Sequence, residues 1–181
     1  MRIIAGRLRG RRLHGPPRDG VRPTSDRLRE TLFNVLAPRV AGSRVLDGFA
    51  GTGAVGIEAL SRLAEHATFV ERDGRALRVL QANIDHCGVG EASAVIRGDF
   101  VGLAGRVPDL GVFDLVFLDP PYDVQALDAI LGEAAAMLAS GGLIVLEHSR
   151  RRTDVPAEAH GLVRTRTLMA GDSALAFYVA A

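Results

Sequence analysis

The sequence predicts an open, doubly wound α/β sheet, mostly parallel, in a single domain. Five short apolar runs alternate with segments of helical period, the pattern of repeated βαβ units. Residues 162–167 and 174–179 form two further runs joined by too few residues for a crossover helix, which adds an antiparallel hairpin at one edge. The third observation is size, since 181 residues suit one core and are too few for two domains of typical size.

Taken in chain order, residues 1–22 are rich in glycine, proline and arginine. Their short apolar pairs suit a small hairpin but no core, so they read as a basic appendage to a domain spanning residues 23–181. Asp26 suits a helix cap, Leu28, Leu32, Phe33, Val35 and Leu36 recur at helical spacing, and Pro38 is expected to close that helix. Residues 45–46, 67–70, 94–96, 115–118 and 143–146 read as parallel strands buried on both faces. Helical patterns at 54–64, 74–86 and 124–138, with a short one at 100–105, connect them. With the hairpin the expected sheet has seven strands, helices on both faces and antiparallel C-terminal edge strands.

Composition excludes several classes. Hydrophobic residues at 48% and charged residues at 24%, with a net charge of +1, fit neither a disordered nor a fibrous chain. Cys87 is a lone cysteine, so no internal disulfide forms, and no apolar run approaches the roughly 20 residues of a membrane span. Residues 1–7 lack the apolar core of a signal peptide, which leads to the expectation of a cytoplasmic, reducing compartment. All 22 cations are arginine. Residues 1–30 hold nine against three acids, a net of +6, which leaves −5 for the remainder.

Open α/β sheets bind ligands beyond the carboxyl ends of their strands. Four of the five parallel strand exits carry an acid: Asp47, Glu71, Asp99 and Asp119. After the first strand, Gly51, Gly53 and Gly56 match the G-x-G-x-x-G pattern of dinucleotide binding. By itself that pattern suggests NAD. Asp47, however, stands ahead of the glycines, where a carboxylate repels a pyrophosphate and suits an ammonium group. S-adenosylmethionine is cationic, lacks phosphate and carries ribose hydroxyls suited to Glu71. Asp99 either accepts from an adenine amine or caps the short helix that follows it, and Phe100 suits a place against the adenine ring.

The fourth exit reads Asp119-Pro120-Pro121-Tyr122. Successive prolines stiffen the turn and hold Asp119 and Tyr122 in fixed positions. An exocyclic base amine is a poor nucleophile because its lone pair is delocalised into the ring. The Asp119 carboxylate and Pro120 carbonyl, by accepting from that amine, favour the positive nitrogen that develops as it attacks a methyl group. Tyr122 suits stacking on an extruded base.

Residues 47–56 resemble motif I of the Rossmann-like S-adenosylmethionine methyltransferases, and residues 119–122 resemble their D-P-P-Y amino-methylating motif. The segments 2–6, 22–27, 29–30, 32–34, 56–62, 69–71 and 171–175 further resemble the RsmD family of ribosomal RNA guanine-N2 methyltransferases, so that the likeness covers nearly the whole chain. The resemblance implies transfer of a methyl group from S-adenosylmethionine to the N2 amine of one guanine in small-subunit ribosomal RNA. It implies that Asp47, Gly51 and Gly53 serve the cofactor's methionine end, Glu71 its ribose and Asp99 its adenine; Phe49 and Phe100 complete the candidate cofactor-binding set. Asp119, Pro120 and Tyr122 would serve the target base as catalytic residues. Gly48 departs from the family pattern, in which a bulkier apolar residue is usual. D-P-P-Y also occurs in enzymes that methylate adenine-N6 or cytosine-N4 in DNA or RNA, so the tetrapeptide alone does not choose the base. An NAD-dependent oxidoreductase is the more distant alternative.

Arg7, Arg9, Arg11, Arg12 and Arg22 suit phosphate oxygens, so this arm is the expected RNA contact; a solvated basic loop is the alternative. The cysteine and the five histidines show no metal-ligand spacing, hence no metal is expected. A monomer acting on ribosomal RNA within the small subunit completes the expectation.

Overall fold

The computed structural model describes residues 1–15, 26–106, 110–121 and 126–181. Its elements are α1 (Asp26–Val40), β1 (Arg44–Asp47), α2 (Ala54–Ser61), β2 (His66–Glu71), α3 (Gly74–Cys87), β3 (Ser93–Arg97), α4 (Leu103–Arg106), β4 (Phe113–Leu118), α5 (Leu127–Ala136), β5 (Leu138–Ser149), β6 (Glu158–Ala159), β7 (Leu162–Ala170) and β8 (Ser173–Ala180). One sheet holds them in the order β3-β2-β1-β4-β5-β8-β7-β6. β3, β2, β1, β4 and β5 are mutually parallel, while β8 pairs antiparallel with β5 and β7. The strand order turns back between β1 and β4, the switch point at which such sheets open a crevice.

Alternate strand residues feed two cores. Val45, Phe69, Leu115, Phe117 and Val145 pack with α1, α2 and α3 on one face, while Leu46, Val70, Val116, Leu118 and Ile144 pack with Leu103 and the apolar side of α5 on the other. Asp73 caps α3 by accepting from the amides of Arg75 and Ala76, both at 2.9 Å, a contact worth about 1 kcal/mol.

The described residues form eight strands rather than seven. The added β6 has two residues paired to Leu162 and Val163, too short to show any alternation. β5 begins earlier than its apolar run because Leu138 already pairs with Phe113 before the register shifts to Leu115 and Leu143. β3 lies at the sheet edge and leaves Val95 38% exposed, so it is not buried on both faces as expected. α1 continues past Pro38 to Val40, since a proline in the last turn removes one amide donor and Val40 is buried there. Asp26 occupies the first turn of α1 and accepts from Arg29 at 2.6 Å.

The basic N-terminal segment, expected as an appendage with a small hairpin, packs on the domain. Residues 1–13 do form a hairpin, with Ile3 N–H donating to Arg11 O and Gly10 N–H to Ile3 O, both at 2.9 Å. That hairpin is docked. The Ile4 and Ala5 amides donate to the Glu58 carboxylate at 2.7 and 3.0 Å, and the Leu8 amide donates to Ser61 Oγ at 3.0 Å. Ile3 is fully buried in the first core. At Gly6, with φ +81°, an added Cβ would lie 1.9 Å from Ser61 O, so only glycine permits this approach.

Candidate active site

β1 and β4 run side by side, with Asp47 opposite Phe117, and the Gly48 amide donates to Phe117 O at 2.9 Å. The glycine loop after β1 and the Asp119-Pro120 turn after β4 therefore leave the sheet together at the switch point. Asp119 is half-buried and Pro120 buried, whereas Pro121 is exposed. Tyr122 and Arg22 lie outside the described residues.

Each glycine of the loop has its own physical reason. Gly51 has φ +53° and nothing within 4 Å of an added Cβ, so its backbone faces open space. Gly53 has φ +78° and a Cβ there would meet Leu80 Cδ1 at 2.4 Å. A Cβ on Gly56 would meet Phe69 Cε1 at 2.3 Å, so helix and strand close tightly over this position. The loop is also wired to its neighbour strand. Glu71 accepts from the Gly51 amide at 2.8 Å through one oxygen and from the Asp73 amide at 2.7 Å through the other.

Asp47 stands behind this loop, 1% exposed, and accepts from the Gly56 amide at 3.1 Å. Burial raises its pKa to about 7; the Gly56 amide opposes that rise and the nearby Glu71 charge adds to it. Such a group gains most when a cation arrives beside it.

Phe100 is 2% exposed and packs on Phe49, ring centroids 5.5 Å apart. An added Cβ on Gly48 would meet Phe100 Cδ2 at 2.7 Å and Leu118 Cδ2 at 2.9 Å. The departure from the family pattern at Gly48 is thus filled from the opposite side by Phe100. Asp99 is exposed and pairs with the Arg72 guanidinium at 3.1 Å, a surface contact worth roughly 0–1 kcal/mol.

The structure therefore gathers Asp47, Phe49, Gly51, Gly53, Glu71 and Asp119-Pro120 at one end of the sheet, with Asp99 and Phe100 just beyond β3. The arm arginines Arg7, Arg9, Arg11 and Arg12 are exposed, and Arg11 donates to His86 O at 2.6 Å. Sequence reasoning missed two buried residues that hold the arm to this site. The Asn83 side chain accepts from the His14 amide at 2.7 Å and donates to Thr52 O, inside the glycine loop, at 2.9 Å. Fully buried Glu58 takes the Ile4 and Ala5 amides and pairs with Arg62 at 2.8 Å. A polar residue on the apolar face of each helix was the available signal. Glu147, 3% exposed one residue beyond the Leu118–Leu146 pair, is a fifth strand-exit acid. Among the described residues no group of three or more His, Cys, Asp or Glu is placed to hold a metal ion. No described helix is long and apolar enough to cross a membrane.

Sheet order, glycine loop and D-P-P turn together define a Rossmann-like methyltransferase of the S-adenosylmethionine-dependent kind. Residues 1–179 match the model of a family described as conserved hypothetical protein 95. Ribosomal RNA small subunit methyltransferase D from Haemophilus influenzae is 36% identical over 92% of this chain and 88% of that protein. Its Escherichia coli K12 counterpart is 41% identical over 81% of this chain and 74% of that protein. The solved structure of yhhF from Escherichia coli superposes with a TM-score of 0.84 at 36% identity, covering 98% of this chain and 96% of that one. The chain belongs to the RsmD family, that of the ribosomal RNA small subunit methyltransferases D.

Proposed function

We propose that this methyltransferase modifies the exocyclic N2 amine of a guanine in small-subunit ribosomal RNA, with S-adenosylmethionine as methyl donor. The observation that carries the reading is the adjacency of the glycine loop and the Asp119-Pro120 turn at the β1–β4 switch point. The open space over Gly51 fits a ligand that approaches backbone closely.

When bound, the cofactor supplies an electrophilic methyl group on a sulfonium. Gly51 and Gly53 shape the bed for its methionine end, backed by the Asp47 charge, and Phe49 adds apolar surface. Glu71, anchored by the Gly51 amide, keeps lone pairs for ribose hydroxyls. Asp99, exposed beside Arg72, would accept from the adenine amine, and Phe100 would lend apolar surface to the same end. At the fourth exit, Asp119 and the Pro120 carbonyl accept from the base amine, and Tyr122 stacks on the extruded base. Guanine offers N1–H and N2–H side by side, two donors that one carboxylate can accept. The exposed Arg7, Arg9, Arg11 and Arg12, together with Arg22, hold the RNA backbone. The protein works as a monomer without a metal, in the cytoplasm.

The test supplies labelled S-adenosylmethionine with unmodified small ribosomal subunits and, separately, with protein-free RNA. Recovery of label in N2-methylguanosine is the expected result. Label in an adenine or cytosine amine overturns the choice of base, and tight NAD binding with none of S-adenosylmethionine overturns the cofactor.

A further inference from the structure

We infer that the groove between the end of the N-terminal hairpin and the outer face of α3 is a second seat for RNA phosphates, read by Arg75 and Arg78. This rests on the RNA-substrate reading above and adds a surface to it. The groove is an open depression of about 510 Å³ lined by His14, Arg75, Arg78, Val79 and Ala82. Arg75 and Arg78 are exposed and three apart on one helix, so their guanidinium groups share a face. No acid lines it. Asp73, the nearest in sequence, turns its Oδ1 to the Arg75 and Ala76 amides, and Asp85 accepts from Gln81 at 2.9 Å.

The opposite wall is fixed rather than loose. Asn83 clamps the His14 backbone from both sides, accepting from its amide at 2.7 Å and donating to its carbonyl at 3.2 Å. A few residues up the hairpin, Arg11 is tied to the last turn of α3 through His86 O at 2.6 Å. The result is an open cationic trough on the same chain surface as the hairpin, whose Arg7, Arg9 and Arg12 are also exposed. Two guanidinium forks on a regular helix beside a trough suit the repeating oxygens of a nucleic-acid backbone. The Val79 and Ala82 floor offers no hydrogen bonds to base edges, so the contact positions RNA without reading sequence.

The experiment measures binding of the full chain to a small-subunit ribosomal RNA transcript over a series of salt concentrations. Arg75→Gln/Arg78→Gln is compared with wild type and with Arg166→Gln, an exposed arginine on β7. The double variant is expected to bind roughly ten-fold more weakly, and its log-log salt slope to shrink by about 1.5 in magnitude, the counterion release of two phosphate contacts. Its affinity for S-adenosylmethionine and its melting temperature stay at wild-type values, and Arg166→Gln leaves RNA binding unchanged. A double variant that matches wild type in affinity and slope overturns the groove alone. A wild-type chain that binds no transcript overturns both the groove and the RNA reading.

Discussion

The first and fourth strand exits lie side by side yet are built by different means. The loop after β1 is held by backbone conformation and by side chains that reach in from elsewhere: left-handed Gly51 and Gly53, the Glu71 carboxylate on the Gly51 amide, Asp47 on the Gly56 amide and Asn83 on Thr52 O. The turn after β4 is stiffened by its own covalent structure, two prolines in succession. A loop braced by three side chains suits a ligand bed whose shape is its function. A stiff turn bearing one half-buried carboxylate suits a fixed acceptor aimed at a reacting amine. Changes at the first exit should therefore alter cofactor affinity and stability together, and changes at the fourth should alter rate alone.

Gly53→Val breaks the first exit most severely, because it forces a β-branched residue to φ +78° and drives its Cβ to 2.4 Å from Leu80. Calorimetry should show loss of S-adenosylmethionine binding, and denaturant unfolding a loss of about 3 kcal/mol or more. Phe100→Ala empties the space beside Gly48 and Leu118 and should cost about 3–5 kcal/mol in the same unfolding measurement. Restoring bulk with Gly48→Val in that background should recover part of the loss, whereas Gly48→Val alone should destabilise.

The buried Asp47 gives a pH signature. Its folded pKa, about 7, lies above the ordinary 3.8, so the folded chain binds the extra proton between those values and loses stability as pH rises through that window. The full effect is at most about 4 kcal/mol, and Asp47→Asn should flatten the pH dependence of unfolding. A cationic ligand favours the ionised carboxylate, so S-adenosylmethionine affinity should fall by up to about ten-fold per unit as pH drops below 7. That slope should vanish in Asp47→Asn. The smallest effect belongs to Arg72→Ala: breaking the exposed pair with Asp99 should change stability by less than about 1 kcal/mol.

Much of this architecture is legible in the sequence where it depends on apolar patterning. β1, β2 and β4 are buried runs, and the carboxyl ends of successive parallel strands must fall at one edge, so the sequence alone groups Asp47, Glu71 and Asp119. Contacts made by backbone amides leave no such pattern. The hairpin of residues 1–13 docks through the Ile4, Ala5 and Leu8 amides, which is why it read as an appendage. Phe100 shows the opposite difficulty: an aromatic residue next to a strand-exit acid reads as a ring contact, but the absence of a side chain at Gly48 draws it into the core. β6 is too short for any period, and Glu147 was hidden at the end of an otherwise apolar run.

The division of labour between the two exits is tested most directly by Asp119→Ala, with S-adenosylmethionine affinity measured by calorimetry and methyl transfer to unmodified small subunits by single-turnover incorporation of label. Affinity should stay within about two-fold of wild type while the transfer rate falls by roughly 100-fold or more. A variant that transfers at the wild-type rate, or one that loses transfer only in proportion to lost cofactor binding, contradicts that division.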